Sequence, residues 1–200
     1  MRIALPDASS LPECHADVIE AWQASAKKLE ELGAIVEPVK IPEWYFNLGV
    51  GAGSISASEL WSLHRGWIED MNQPIGAGVR AAGRWPPRPS PPALYAEELR
   101  RMAGRRAEFN AWMAPYDALL TPALASGAIP VTEVDETSPA ISLMTRPGNY
   151  LGLCGLSLPN GFSNGLPVGL QLLGKPYAEG AVLKIGKALQ DATRLPQADA

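Results

Sequence analysis

The N-terminal segment, residues 2–39, restricts the fold more than any other part of the chain. Residues 2–5 form a short apolar stretch that Pro6 ends. Residues 16–32 follow with Val18, Trp22, Leu29 and Leu32 at helical spacing, and Gly33 stands where a left-handed C-terminal cap is expected. Residues 34–39 return to a strand pattern through Val36 and Val39. Pro38 cannot donate to a β-ladder, so this second strand is expected at a sheet edge or to end there. A strand–helix–strand unit implies a parallel or mixed sheet covered by helices, because parallel neighbours need a long crossover.

Further along, residues 45–67 carry a helical pattern that Gly49, Gly51 and Gly53 weaken at its start. Residues 82–92 hold prolines at 86, 87, 89, 91 and 92, a density no helix survives, which predicts an extended loop. A longer helix is predicted over 93–113, with Tyr95, Leu99, Met102, Phe109 and Met113 as its buried stripe. Residues 118–121 read as a buried strand stopped by Pro122, and the stretch to 139 as loop. Two more strands are predicted at 155–159 and 168–173, joined through the turn residues Asn160, Gly161, Asn164 and Gly165. The last helix, 178–192, presents Val182, Ile185 and Leu189. Strands near both ends with helices between them, and no internal repeat, predict one α/β domain over residues 1–200.

The chain offers no complete catalytic apparatus of its own. A hydrolase needs a nucleophile, a base and oxyanion donors, and the Gly-x-Ser-x-Gly elbow is absent. Ser54 follows a glycine pair that suits close packing at a helix start. Ser25 and Lys28 match a Ser-x-x-Lys spacing, but both are read as solvated, and a solvated lysine stays protonated. Cys14 and His15 are adjacent, which rarely points two side chains together, and His64 stands alone. Two cysteines and two histidines give no zinc spacing, while Glu133, Asp135 and Glu136 read as a solvated acidic loop. No metal, phosphate-loop or dinucleotide-cofactor site is therefore expected. A net charge of −4 argues against nucleic-acid binding, and the one basic cluster (Arg100, Arg101, Arg105, Arg106) is flanked by Glu97, Glu98 and Glu108. No apolar run is long enough for a membrane span, and unpaired cysteine spacing fits a cytoplasmic protein.

One ordered series of motifs carries more information. It runs Tyr116-Asp117-Ala118-Leu119-Leu120-Thr121-Pro122-Ala123, then Thr145-Arg146-Pro147-Gly148-Asn149-Tyr150-Leu151-Gly152-Leu153-Cys154-Gly155-Leu156-Ser157-Leu158-Pro159-Asn160-Gly161-Phe162, then Gly165-Leu166-Pro167-Val168-Gly169-Leu170-Gln171-Leu172-Leu173-Gly174-Lys175-Pro176. In order and spacing this resembles the C-terminal signature of the amidase-signature enzymes. The N-terminal strand, helix and Leu32–Glu37 are similar to the region after that family's catalytic core. The resemblance covers nearly the whole chain and is weakest between Asn47 and Pro92.

The resemblance implies part of an amidase-signature fold, a mixed β-sheet surrounded by helices. It implies hydrolysis of carboxamides through an acyl-enzyme, using a Ser–Ser–Lys triad whose motif matches no residue here. The chain is thus expected to be a C-terminal portion, inactive alone, that needs a missing N-terminal half. The alternative is a non-catalytic half with a separately encoded partner half, or a protein similar to the amidase-type subunit of an amidotransferase. A small-molecule amide is the expected substrate. Ser142, Thr145, Arg146 and Asn149 are its candidate binding residues, with Asn149 equally readable as a turn-fixing side chain. The family often has Phe where Gly148 stands and Pro where Cys154 stands, which reads as a loosened turn and a small buried thiol. In the family's tRNA-dependent glutamine amidotransferases an arginine and an aspartate help recognise glutamine. Ungapped placement puts Met102 and Ser142 at those positions, which tilts the expectation towards a less polar amide.

Overall fold

The computed structural model of the protein describes residues 1–83, 92–135, 138 and 140–193. Strand β1 (Arg2–Pro6), helix α1 (Ala16–Glu31) and strand β2 (Ile35–Val39) form the unit that the N-terminal pattern predicts. The two strands pair in parallel, from Arg2 opposite Ile35 to Pro6 opposite Val39. Gly33 makes the reversal after α1 at φ 87°, a left-handed conformation that suits a residue without Cβ.

After β2 come helix α2 (Gly49–Glu69), helix α3 (Ala77–Gly83), helix α4 (Pro92–Trp112) and strand β3 (Ala118–Pro122). Helix α5 (Arg146–Leu151), strands β4 (Cys154–Ser163) and β5 (Leu166–Gly174), and helix α6 (Glu179–Thr193) complete the described chain. The five strands form a mixed sheet in the order β2-β1-β3-β5-β4. β3 lies parallel to β1, whereas β5 runs antiparallel to both β3 and β4. β2 is an outer strand, which is where Pro38 costs no ladder bond.

Period-two alternation sorts the strands onto two faces. Ile3, Ala118, Leu120, Leu170 and Leu172 pack with Trp22 and Leu29 of α1 and with Val182, Ile185 and Leu189 of α6. One residue out of phase, Ala4, Leu119 and Leu173 pack with Tyr45, Phe109, Met113 and Tyr150 on the other side. Trp22 is 1% exposed, and its indole N–H donates to the Leu120 carbonyl at 3.2 Å. A ring that size contributes roughly 4–6 kcal/mol of gross burial energy.

The structure departs from the sequence reading at several points. Helix α2 begins at Gly49, not Tyr45. Tyr45 lies ahead of it, fully buried and stacked on Phe109 at 5.2 Å. α2 kinks at His64 (φ −126°) and is closed by Arg80 of α3, an unexpected helix. That guanidinium donates to the carbonyls of Trp67, Ile68, Asp70 and Gln73, the arrangement that satisfies orphan acceptors at a helix C-terminus. Of the loop expected at 82–92, residues 84–91 lie outside the described residues; Ala82 belongs to α3 and Pro92 opens α4. β4 does not stop at Pro159. It runs through Asn160 and Gly161 with a bulge between Pro159 and Phe162, so the turn narrows to Asn164 and Gly165 at φ 50° and 77°. Two consecutive positive φ values are what a two-residue type I′ hairpin requires. Leu32, read as part of the apolar stripe, is 47% exposed.

Candidate functional site

The candidate wall is built on α5. Pro147 stands in its first turn, where a missing N–H is harmless. Gly152 follows it at φ 69°; its N–H bonds the Asn149 carbonyl, and the Leu153 N–H bonds the Gly148 carbonyl. This pairing is a Schellman motif, and it stops the helix after Leu151. Arg106 of α4 adds a charge-assisted bond from Nε to the Tyr150 carbonyl at 2.9 Å, favourable at a helix C-terminus. Pro147, Gly148, Tyr150 and Leu151 are buried, while Thr145 and Asn149 are exposed. The short helix therefore carries a packed side and an open polar side.

Three of the four sequence-predicted residues meet here. The Arg146 guanidinium donates to the Ser142 hydroxyl, and the Thr145 hydroxyl donates to the Ser142 carbonyl at 3.4 Å. Arg146 reaches over the first turn of α2, where a Cβ on Gly49 would sit 3.2 Å from its Nη1. Asn149 shares α5 and stands on its open side, its carbonyl accepting from the Gly152 N–H in the C-terminal cap. Gly148 is likewise inside the helix, buried with Leu173 Cδ2 3.0 Å from where its Cβ would be, so it does not loosen a turn. Cys154 is half-buried at the start of β4, and its thiol donates to the Lys175 carbonyl at 3.1 Å.

Sequence reasoning missed the residue that ties this segment to the sheet. Gln171 of β5 is 6% exposed; its Nε2 donates to the Thr121 hydroxyl at 2.9 Å and to the Met144 carbonyl at 2.7 Å. Met144 immediately precedes Thr145 and Arg146, so Gln171 fixes the entry to α5. A lone amide between Leu170 and Leu172 in a buried strand was the available signal. Met102 packs against the core around Tyr45 and Phe109.

The other nucleophile candidates are occupied structurally. Ser25 is not solvated: it is buried, and its hydroxyl donates to Asn160 Oδ1, while Lys28 pairs with Glu31. Ser54 is 3% exposed within α2. The Cys14 thiol donates to the Pro12 carbonyl, and burial pushes its pKa up, away from a reactive thiolate. Among the described residues no group of three His, Cys, Asp or Glu could hold a metal ion, and no helix is long and apolar enough to cross a membrane. An arginine oriented by a hydroxyl, as in the Arg146–Ser142 pair, can bind an acceptor oxygen but cannot act as a base.

A mixed five-stranded sheet covered by helices is the fold this chain shares with amidase-signature enzymes of known structure. The chain belongs to the amidase family, whose model matches residues 1–183. It is 30% identical over 213 aligned positions to a glutamyl-tRNA(Gln) amidotransferase subunit of Thermotoga maritima, covering 95% of this chain and 45% of that protein. The crystal structure of the Thermotoga maritima protein superposes with a TM-score of 0.75 at 27% identity, covering 98% of this chain and 43% of that one. A chain from a vestigial protein complex tied to the evolutionary origins of an s-triazine catabolic enzyme matches at TM-score 0.75 and 25% identity, over 96% and 43% of the two chains. The chain thus spans less than half the length of the curated relatives it matches.

Proposed function

We propose that these residues form the C-terminal part of a carboxamide hydrolase, with Ser142, Thr145, Arg146 and Asn149 on the wall facing a small-molecule amide. The observation that carries this reading is the family match over residues 1–183 in a chain that spans 45% of its relative's length. The Ser–Ser–Lys triad of the family then comes from a segment outside these residues, and the chain is inactive by itself. Arg146, held by Ser142, contacts an acceptor oxygen on the substrate beyond the scissile amide. Cys14 and Cys154 stand as free thiols, which accords with a cytoplasmic setting.

A second reading is a non-catalytic half that complements a separate N-terminal half, or a role like that of the amidotransferase relatives. Their 30% identity to this chain favours it. The deciding experiment assays a panel of simple amides and glutamine with the purified chain, alone and mixed with an N-terminal half from a related enzyme. Activity only on mixing is the expected result. Activity of the chain alone would overturn the proposal and return attention to its own serines and cysteines.

A further inference from the structure

A separate polar cavity of about 220 Å³ opens between the first turn of α2, helix α4 and Tyr150 of α5. None of the four wall candidates lines it. Its floor is Glu98, only 3% exposed. Glu98 Oε1 pairs with Arg101 Nη1 at 3.1 Å, while among the described residues no donor reaches the buried Oε2. Gly51 lets α2 pack closely against that oxygen: a Cβ there would lie 2.7 Å from Oε2 and 3.5 Å from the Tyr150 hydroxyl. Two arginines stand at the rim. Arg101 is half exposed and also pairs with Glu97 at 3.4 Å, and Arg105 lies over the Trp44 ring at 4.4 Å, paired with Glu108 at 2.9 Å.

A buried carboxylate oxygen without a donor calls for an N–H-bearing partner. A simple cation is disfavoured by the two guanidinium groups at the rim, and a simple anion by the carboxylate at the floor. A ligand with both charges on neighbouring atoms satisfies each end. The volume holds about seven waters at ~30 Å³ each, room for a small amino acid and not for a peptide. Burial, and then the Glu98 charge, push the Tyr150 pKa up, so its hydroxyl stays protonated beside the carboxylate.

We propose that this pocket binds a small zwitterion of the α-amino-acid class, its ammonium donating to the Glu98 carboxylate and its carboxylate accepting from Arg101 and Arg105. The proposal does not rest on the amidase reading, because its test reads binding and not turnover. The ¹⁵N-labelled chain is titrated with glycine and alanine, and in parallel with ethylamine, acetate and acetamide, following the Trp44 indole resonance. Saturable shifts are expected with the amino acids alone. Glu98→Gln and Arg101→Ala should each weaken that binding roughly tenfold or more, as loss of a charge-assisted bond does. Lys187→Ala on α6 should leave it unchanged. Circular dichroism and unshifted resonances from β1 and α1 establish that the variants fold; if Glu98→Gln does not, the exposed Arg101→Ala decides. No saturable shift with either amino acid, which leaves water as the partner of Glu98, overturns the assignment. So do equal shifts with acetamide, or affinity unchanged in the folded variants.

Discussion

Replacing Gln171 by leucine tests whether the sheet holds the candidate wall in place. The substitution keeps roughly the side-chain volume and removes the donor to both the Met144 carbonyl and the Thr121 hydroxyl. Thr121 is 1% exposed and Met144 2% exposed, so water does not readily replace the lost partner. Stranding two buried acceptors costs about 1–2 kcal/mol each, and the more apolar side chain returns about 1 kcal/mol. The net expectation is a loss of about 1–3 kcal/mol, a sizeable share of the ~5–15 kcal/mol typical of a folded protein. Urea unfolding should show a lower midpoint with an unchanged slope. Hydrogen exchange should accelerate most in residues 144–153, because Gln171 anchors the entry to α5. A loss below about 0.5 kcal/mol, the range of ordinary surface changes, would refute the anchoring argument. So would acceleration spread evenly over the sheet.

Tyr45→Phe should be neutral or stabilising by up to about 1 kcal/mol in thermal unfolding, since the Tyr45 hydroxyl is buried with no partner among the described residues while the ring keeps its stacking on Phe109. Burial also pushes the Tyr45 pKa up, so the folded wild-type chain resists ionisation there and loses stability as pH rises above about 10, a loss Tyr45→Phe should lessen in alkaline titrations. Arg80→Ala strands carbonyls at the end of α2 and should cost about 2–4 kcal/mol, with protection lost first in residues 66–83. At the acid end, Glu108 is held below its usual pKa by the Trp44 indole and Arg105, and Asp70 by the Asn72 amide and Gln73. A lowered folded pKa contributes stability above the unfolded value and loses it below, so the urea midpoint should fall as pH drops through about 4.5 and under.

The strand–helix–strand opening, the mixed sheet and the apolar stripes of α1, α4 and α6 were legible because burial imposes periods that sequence displays directly. Helix α5 was not, since six residues make fewer than two turns and show no period; its marks were Pro147 and Gly152 at its two ends. The polar interior escapes the sequence reading for a different reason. Ser25 lies three residues after Trp22 and four before Leu29, and Glu98 lies three after Tyr95 and four before Met102. Both are in phase with apolar stripes, and chemistry alone assigns both to solvent. Spacing is the better guide, because a helix cannot turn one residue outward without turning its neighbours. What spacing could not supply was what covers each side chain, which in both cases comes from distant sequence: Asn160 over Ser25, and the glycine turn of α2 over Glu98. Gly49 and Gly51, which weaken a helix start when read locally, are what let Arg146 and Glu98 approach that helix at all. The two glycines thus serve contacts on either side of α2, and an alanine at position 51 would have to displace the carboxylate that the proposed amino-acid ligand needs.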